Sequence, residues 1–228
     1  MVETQKKVIA LIEEVKKQLH YLKFLGFHEI PVQEPSGATY LQEKEPPSLK
    51  KTEREIEGCK KCKLSSTRTH IVFGVGNQNA DILFVGEGPG REEDLKGIPF
   101  VGKAGQLLTQ IIEKGMGLKR SDVYICNIVK CRPPANRDPE EEEIEACRGF
   151  LEKQIKAINP KIIVALGKPA SSTLLERNVM ITRERGTWHK FMGYKVMITY
   201  HPAFLLRFYT KENRSKVWED MKKVLAAL

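Results

Sequence analysis

The chain has 228 residues, enough for one sizeable domain with its own core, or a domain plus an appendage. Its 38 Lys and Arg against 29 Asp and Glu give a formal charge of +9, which suits a polyanionic partner such as nucleic acid without demanding one. No apolar run approaches the roughly 18 residues of a membrane span, and the charged N-terminus MVETQKKVIALIEEVKK does not read as a secretory signal, so the expected compartment is the cytoplasm.

In chain order, residues 2–25 carry a helical apolar stripe: Val8, Leu11, Ile12, Val15, Leu19 and Leu22 recur at three- and four-residue steps. Residues 31–50 hold four prolines and few large apolar side chains, and read as a linker. The expected division is thus a helical appendage over residues 1–50 and a main body over 51–228. From Thr52 onward the pattern is alternating α/β. The segments 80–86, 123–129, 161–167 and 195–201 are apolar and rich in β-branched residues, as strands buried on both faces of a parallel sheet require. Helical patterns fall at 103–116, 139–158, 168–177 and 214–227. Together they predict a three-layer α/β/α sandwich around a central four-stranded parallel sheet. Asp138-Pro139 before four glutamates reads as a helix start, with Asp138 as N-cap and Pro139 at the first position; an acidic patch with a functional role is the alternative.

In such sheets ligands sit at the carboxyl ends of the strands. Each predicted strand here runs at that end into a polar or glycine-rich segment: Gly86-Glu87-Gly88-Pro89-Gly90, Asn127 onward, Gly167-Lys168, and Tyr200-His201-Pro202. Four distant segments therefore converge on one rim.

Two motifs fail on inspection. The glycines at 86, 88 and 90 do not form a dinucleotide fingerprint, because its third glycine position is Arg91 and Pro89 lacks an N–H for a phosphate. Gly97 to Lys103 matches a phosphate-binding P-loop until the last position, where Ala104 offers no hydroxyl for Mg²⁺. Nucleotide hydrolysis is thus disfavoured. What remains is a tight loop with the acids Glu87, Glu92, Glu93 and Asp94, followed by an aromatic, Phe100. A carboxylate there can orient water or balance a developing cation, and Phe100 can stack on a flat ligand or simply fill the core.

The five cysteines are Cys59, Cys62, Cys126, Cys131 and Cys147. Without an oxidising compartment, metal ligation is a better reading than disulfides. Cys59-x2-Cys62, Cys131 and Cys147 make a four-thiolate set that either zinc or an iron–sulfur cluster would accept. Cys126 lies inside a predicted strand and reads as a core thiol.

Taken together, GCKKC (58–62), GEGPGREED (86–94), GIPFVGKAGQLL (97–108), NIVKCRPPANR (127–137), Cys147 and HPAFLLR (201–207) resemble the family 4 uracil-DNA glycosylases, the thermostable type with a 4Fe–4S cluster. The resemblance covers about residues 52–228 in the right order and leaves the first fifty aside; Arg91 stands where an acid is expected. It implies that Cys59, Cys62, Cys131 and Cys147 hold a 4Fe–4S cluster that organises DNA-facing loops rather than doing redox chemistry. It implies a monofunctional enzyme of base excision repair that flips uracil from DNA and hydrolyses its glycosidic bond. Phe100 would then stack on uracil, Asn127 read its O4 and N3–H, and Glu93 fill the space of a thymine methyl. His201, helped by N–H groups of the loop from Gly86 to Gly88, would stabilise negative charge at O2, and Glu87 would position water. Leu205 or Leu206 would wedge into the base stack and Arg207 would touch phosphate, although Phe204-Leu205-Leu206 also reads as a helix start packed on the core. The expected partner is uracil-containing DNA, single- or double-stranded, with a sliding clamp among candidate protein partners, and the expected form is a monomer at the nucleoid. Relatives that bond DNA covalently carry an inserted basic loop with a histidine after this motif, and residues 97–108 contain no histidine. A non-catalytic, zinc-stabilised nucleic-acid-binding module is the competing reading; it explains charge and cysteines but not the convergence of Glu87, Asn127 and His201.

Overall fold

The structure, a computed structural model, describes residues 2–26 and 48–228. Contacts divide the chain into two units, 1–44 and 45–228. In the first, helix α1 (Val2–Phe24) carries the expected stripe. Most of the linker reading, residues 31–47, lies outside the described residues. Its last residues are not linker: Ser48 caps helix α2 (Leu49–Ile56), its hydroxyl accepting from Lys51 N at 3.1 Å, and Leu49 is buried. Among the described residues no helix is long and apolar enough to cross a membrane.

The second unit is built on a sheet of strands β1 (Val75–Gly76), β2 (Ile82–Gly86), β3 (Tyr124–Asn127), β4 (Ile162–Leu166), β5 (Trp188–Phe191) and β6 (Tyr194–Thr199), in the order β1-β3-β2-β4-β6-β5. The four predicted strands form the parallel centre, β3-β2-β4-β6. The sheet is wider than expected, because the short strands β1 and β5 add antiparallel edges. Neither shows the apolar run by which the central strands were found; β5 alternates exposed with half-buried residues, as an edge strand does.

Alternation along the strands feeds two cores. Leu83, Val85, Ile163, Ala165 and Val196 point to one face, covered by α2, α5 (Glu141–Ile158) and α6 (Gly167–Leu175). Ile82, Phe84, Ile162, Val164 and Met197 point to the other, covered by α4 (Lys103–Gln110), α8 (Pro202–Arg207) and α9 (Lys211–Leu225). The result is the three-layer sandwich. Two short helices complete it, α3 (Arg91–Lys96) and α7 (Ile181–Glu184). The helix expected over 103–116 is α4 followed by a π-helical turn at Ile111–Gly115.

The start of α5 differs from expectation. Glu140, not Asp138, is the N-cap, and it forms a reciprocal capping box with Glu143. The Glu143 carboxylate is buried and also takes both ends of the Arg137 guanidinium, at 2.6 and 2.9 Å. Asp138 is left free of any cap, in the turn before the helix.

The chain leaves β2 for β3 by α3 and α4 on one face, and leaves β3 for β4 by α5 on the other. The crossovers diverge here, and so open a crevice at the carboxyl ends of β2 and β3.

Candidate active site

At that edge lies a cavity of about 440 Å³. Glu87, Gly88, Glu93, Phe100, Asn127, His201 and Arg207 line it together, so segments spread over 120 residues meet as the strand-end argument requires. Gly86 lies directly beneath. A Cβ there would stand 2.5 Å from Asn127 Oδ1 and 2.5 Å from Phe100 Cζ, so only glycine lets the amide and the ring approach.

Asn127 ends β3 and is 1% exposed. Its backbone carbonyl accepts from the buried Lys130 Nζ at 2.6 Å, but its side-chain Oδ1 has no hydrogen-bond partner. An unmade hydrogen bond at a buried acceptor costs about 1–3 kcal/mol. Such a group persists where an incoming ligand satisfies it.

Phe100 is held with φ at +53°, the left-handed region that a bulky residue avoids. The surroundings enforce it. Glu93 Oε1 accepts from Val101 N at 2.9 Å and Gly102 N at 2.8 Å, while Arg120 Nη2 donates to the carbonyls of Pro99 at 2.9 Å and Phe100 at 3.1 Å. Gly105 allows the turn to pack, since a Cβ there would fall 1.9 Å from the Phe100 carbonyl. The ring belongs to the second core, as one reading of Phe100 expected, and its edge also lines the cavity.

His201 caps α8: its Nδ1 accepts from Ala203 N at 3.1 Å. That bond needs an unprotonated Nδ1, so the neutral ring carries its proton on Nε2. Burial pulls the imidazole down to about 4 despite the nearby Glu93 carboxylate, and the ring is neutral at physiological pH. Its centroid lies 5.6 Å from that of Phe100. Gly167, with φ at +85°, leaves the room His201 needs, because a Cβ there would stand 2.8 Å from that of His201.

Glu87 is pushed up to about 7, first by burial and then by Asp138, whose carboxyl lies within hydrogen-bonding reach. Asp138, Asn136 and Arg137 also line the cavity and were not singled out from the sequence as site residues. Arg120, which fixes the Phe100 turn, gave no sequence signal at all.

The α8 segment splits. Arg207 lines the cavity and Leu206 is 43% exposed, but Leu205 is 2% exposed and packs in the second core. Leu205 is therefore a core residue and not available as a wedge.

Cys59, Cys62, Cys131 and Cys147 line one small cavity, together with Arg68 and Lys130. Arg68 Nη1 donates to Cys131 Sγ at 3.2 Å, and Lys130 is fully buried there. Among the described residues, no three His, Cys, Asp or Glu side chains are grouped tightly enough to hold one metal ion. Cys126 is fully buried in β3 and does not line this cavity, and burial pushes its thiol up.

The sequence pattern described as the uracil DNA glycosylase superfamily matches residues 73–222. Among similar proteins is a type-4 uracil-DNA glycosylase of Saccharolobus solfataricus, 48% identical over 76% of this chain and 83% of its own. The type-4 enzyme of Thermotoga maritima is 50% identical over 74% of this chain and 88% of its own, and that of Archaeoglobus fulgidus 46% identical over 78% and 92%. With its glycine-floored crevice and these relatives, the chain belongs to the uracil DNA glycosylase superfamily, in the type-4 family.

Proposed function

We infer that the protein excises uracil from DNA by hydrolysing the bond between uracil N1 and the sugar C1′. The carrying observation is the buried Asn127 amide, whose oxygen lacks a partner and which lines the same cavity as Phe100 and His201. Uracil presents a donor at N3 and an acceptor at O4; the amide accepts from the first and donates to the second. Cytosine presents the reverse, which would leave both amide groups unpaired in a buried place and so excludes it. Phe100 stacks on the ring. Glu93 has its carboxylate tied to the backbone, so it forms a fixed wall where a thymine methyl would go.

As the glycosidic bond breaks, its electron pair moves into uracil and negative charge gathers on O2. The Nε2–H of the neutral His201 donates to that oxygen, and N–H groups of the loop from Gly86 to Gly88 are the other donors at hand. A neutral donor suits this task, since an imidazolium would protonate the leaving base outright. Glu87 holds water against the opposite side of the sugar. Outside the cavity, Leu206 fills the gap left by the flipped base and Arg207 meets phosphate.

The cysteine set fits a 4Fe–4S cluster. Four cysteines around one cavity, with a buried Lys130 and a donating Arg68, make a site for an anionic group, as a thiolate-held cluster is. When bound, the cluster supplies a rigid anchor and no step of the hydrolysis. Lys130 joins the two sites, since it bonds the Asn127 carbonyl and borders the cysteines.

The test is an oligonucleotide with one uracil, incubated with the protein and then cleaved by alkali at abasic sites. Strand scission should follow, and Asn127→Ala and His201→Ala should each lower the rate by about two to four orders of magnitude. No scission by the unaltered protein, or unchanged rates in both variants, would remove this function.

A further inference from the structure

Asp138 has no part in capping α5. The reason is local: Pro139 follows it, the capping box forms one residue later at Glu140, and the carboxyl of Asp138 is left at the cavity wall. There it meets Glu87, the two carboxyls within hydrogen-bonding reach, with Glu87 half-buried and Asp138 exposed at the cavity wall. The neighbouring cation is engaged elsewhere, since Arg137 binds Glu143 through both guanidinium nitrogens and Glu140 at 3.2 Å. The other charged or titratable groups on the cavity wall are Glu93, bound to two backbone N–H groups, the neutral His201, and Arg207. Two neighbouring acids thus face the same space as Asn127, whose amide oxygen has no partner.

We propose that Asp138 is a positioning residue for water activation, its carboxylate orienting Glu87 and making it a stronger base toward the attacking water. The proposal rests on the uracil-excision reading and deepens it. As the C1′–N1 bond breaks and its electron pair leaves with uracil, a water lone pair forms the C1′–O bond. The water proton passes to the Glu87 carboxylate and from there to solvent; nothing is oxidised or reduced. A base works best when its proton affinity matches the working pH, and an ordinary exposed glutamate is too weak for that at neutrality. Burial first, and then the Asp138 carboxyl beside it, raise that affinity, so Glu87 keeps its proton to about neutral pH and gives it up above.

The experiment is a single-turnover excision series from pH 5 to 9 on a single-stranded oligonucleotide with one uracil, for the unaltered protein, Asp138→Asn, Asp138→Ser and Glu87→Gln. Thermal melting checks each variant for folding. In the unaltered protein the rate should climb with pH to a plateau above about 7. In Asp138→Asn the climb should move to lower pH, and the plateau should fall several-fold because Glu87 is then the weaker base. Glu87→Gln should abolish the climb. A purely structural Asp138 would lower the rate at every pH and leave the climb where it was, and that result overturns the proposal, as does a climb that survives Glu87→Gln. Asp138→Ser gives the same reading should the asparagine variant fail to fold. If the unaltered protein excises no uracil, the functional reading fails, and a carbon-13 NMR titration of the Glu87 carboxyl still decides the coupling. Loss of Asp138 should move that titration down, and an unmoved titration refutes the role.

Discussion

Gly86 and Asn127 are paired across β2 and β3, and a single added carbon on the first would lie 2.5 Å from the side-chain oxygen of the second. The same carbon would strike the Phe100 ring. The residue that builds the pocket is thus one that contributes no side chain to it. Gly86→Ala should lower uracil excision by about a hundredfold or more, because a shift of about 1 Å in the groups that grip the base is enough. Its melting temperature should change far less than its activity. Excision within threefold of the unaltered protein would mean that Asn127 and Phe100 are not held in register by this contact.

His201 and Glu87 should oppose each other in stability against pH. His201 drops from an ordinary value of 6.5 to about 4 in the fold, so between those limits the unfolded chain binds more protons and stability rises with pH. Glu87 rises from 4.5 to about 7, so across that interval the folded protein binds more protons and stability falls with pH. The two slopes partly cancel between pH 4.5 and 6.5. Melting curves should show it: His201→Gln leaves a melting temperature that falls as pH rises through this window, and Glu87→Gln leaves one that rises. Equal slopes in the two variants would contradict the burial of either group.

Leu205 and Leu206 are neighbours with opposite fates. Leu205→Ala should cost about 2–5 kcal/mol of stability through the cavity it leaves in the core. Leu206→Ala should leave stability within about 0.5 kcal/mol, as for an exposed site, yet slow excision from double-stranded DNA well below that from single strands. Denaturant melts and paired-substrate rates separate the two. A Leu206 variant equally active on both substrates would leave the wedge without a residue.

Cys131 and Cys126 should differ in the same way by metal content. The protein should be brown, with about four irons per chain. Cys131→Ser should lose colour and iron, melt at a lower temperature and bind DNA more weakly. Cys126→Ser should keep its iron, since that thiol is buried in β3 and does not line the cysteine cavity. Zinc in place of iron in a colourless, active protein would refute the cluster.

By itself the sequence determined the parallel centre of the sheet, because strands buried on both faces must be apolar, and such runs stand out at 80–86, 123–129, 161–167 and 195–201. It also determined which segments end at the carboxyl rim, so Glu87, Phe100, Asn127 and His201 were legible from strand ends and motif likeness together. The edge strands β1 and β5 were not, because a two-residue bridge and a half-exposed strand bury too little to impose a pattern. Tertiary structure alone decided the rest. Whether Leu205 or Leu206 faces outward depends on how α8 lies on the core, and Asp138 came to line the cavity with Glu87 only because Glu140 took the cap. Periodicity reports which side chains must leave water. Which buried polar atom goes without a partner, as Oδ1 of Asn127 does, is fixed only when distant segments are packed against it.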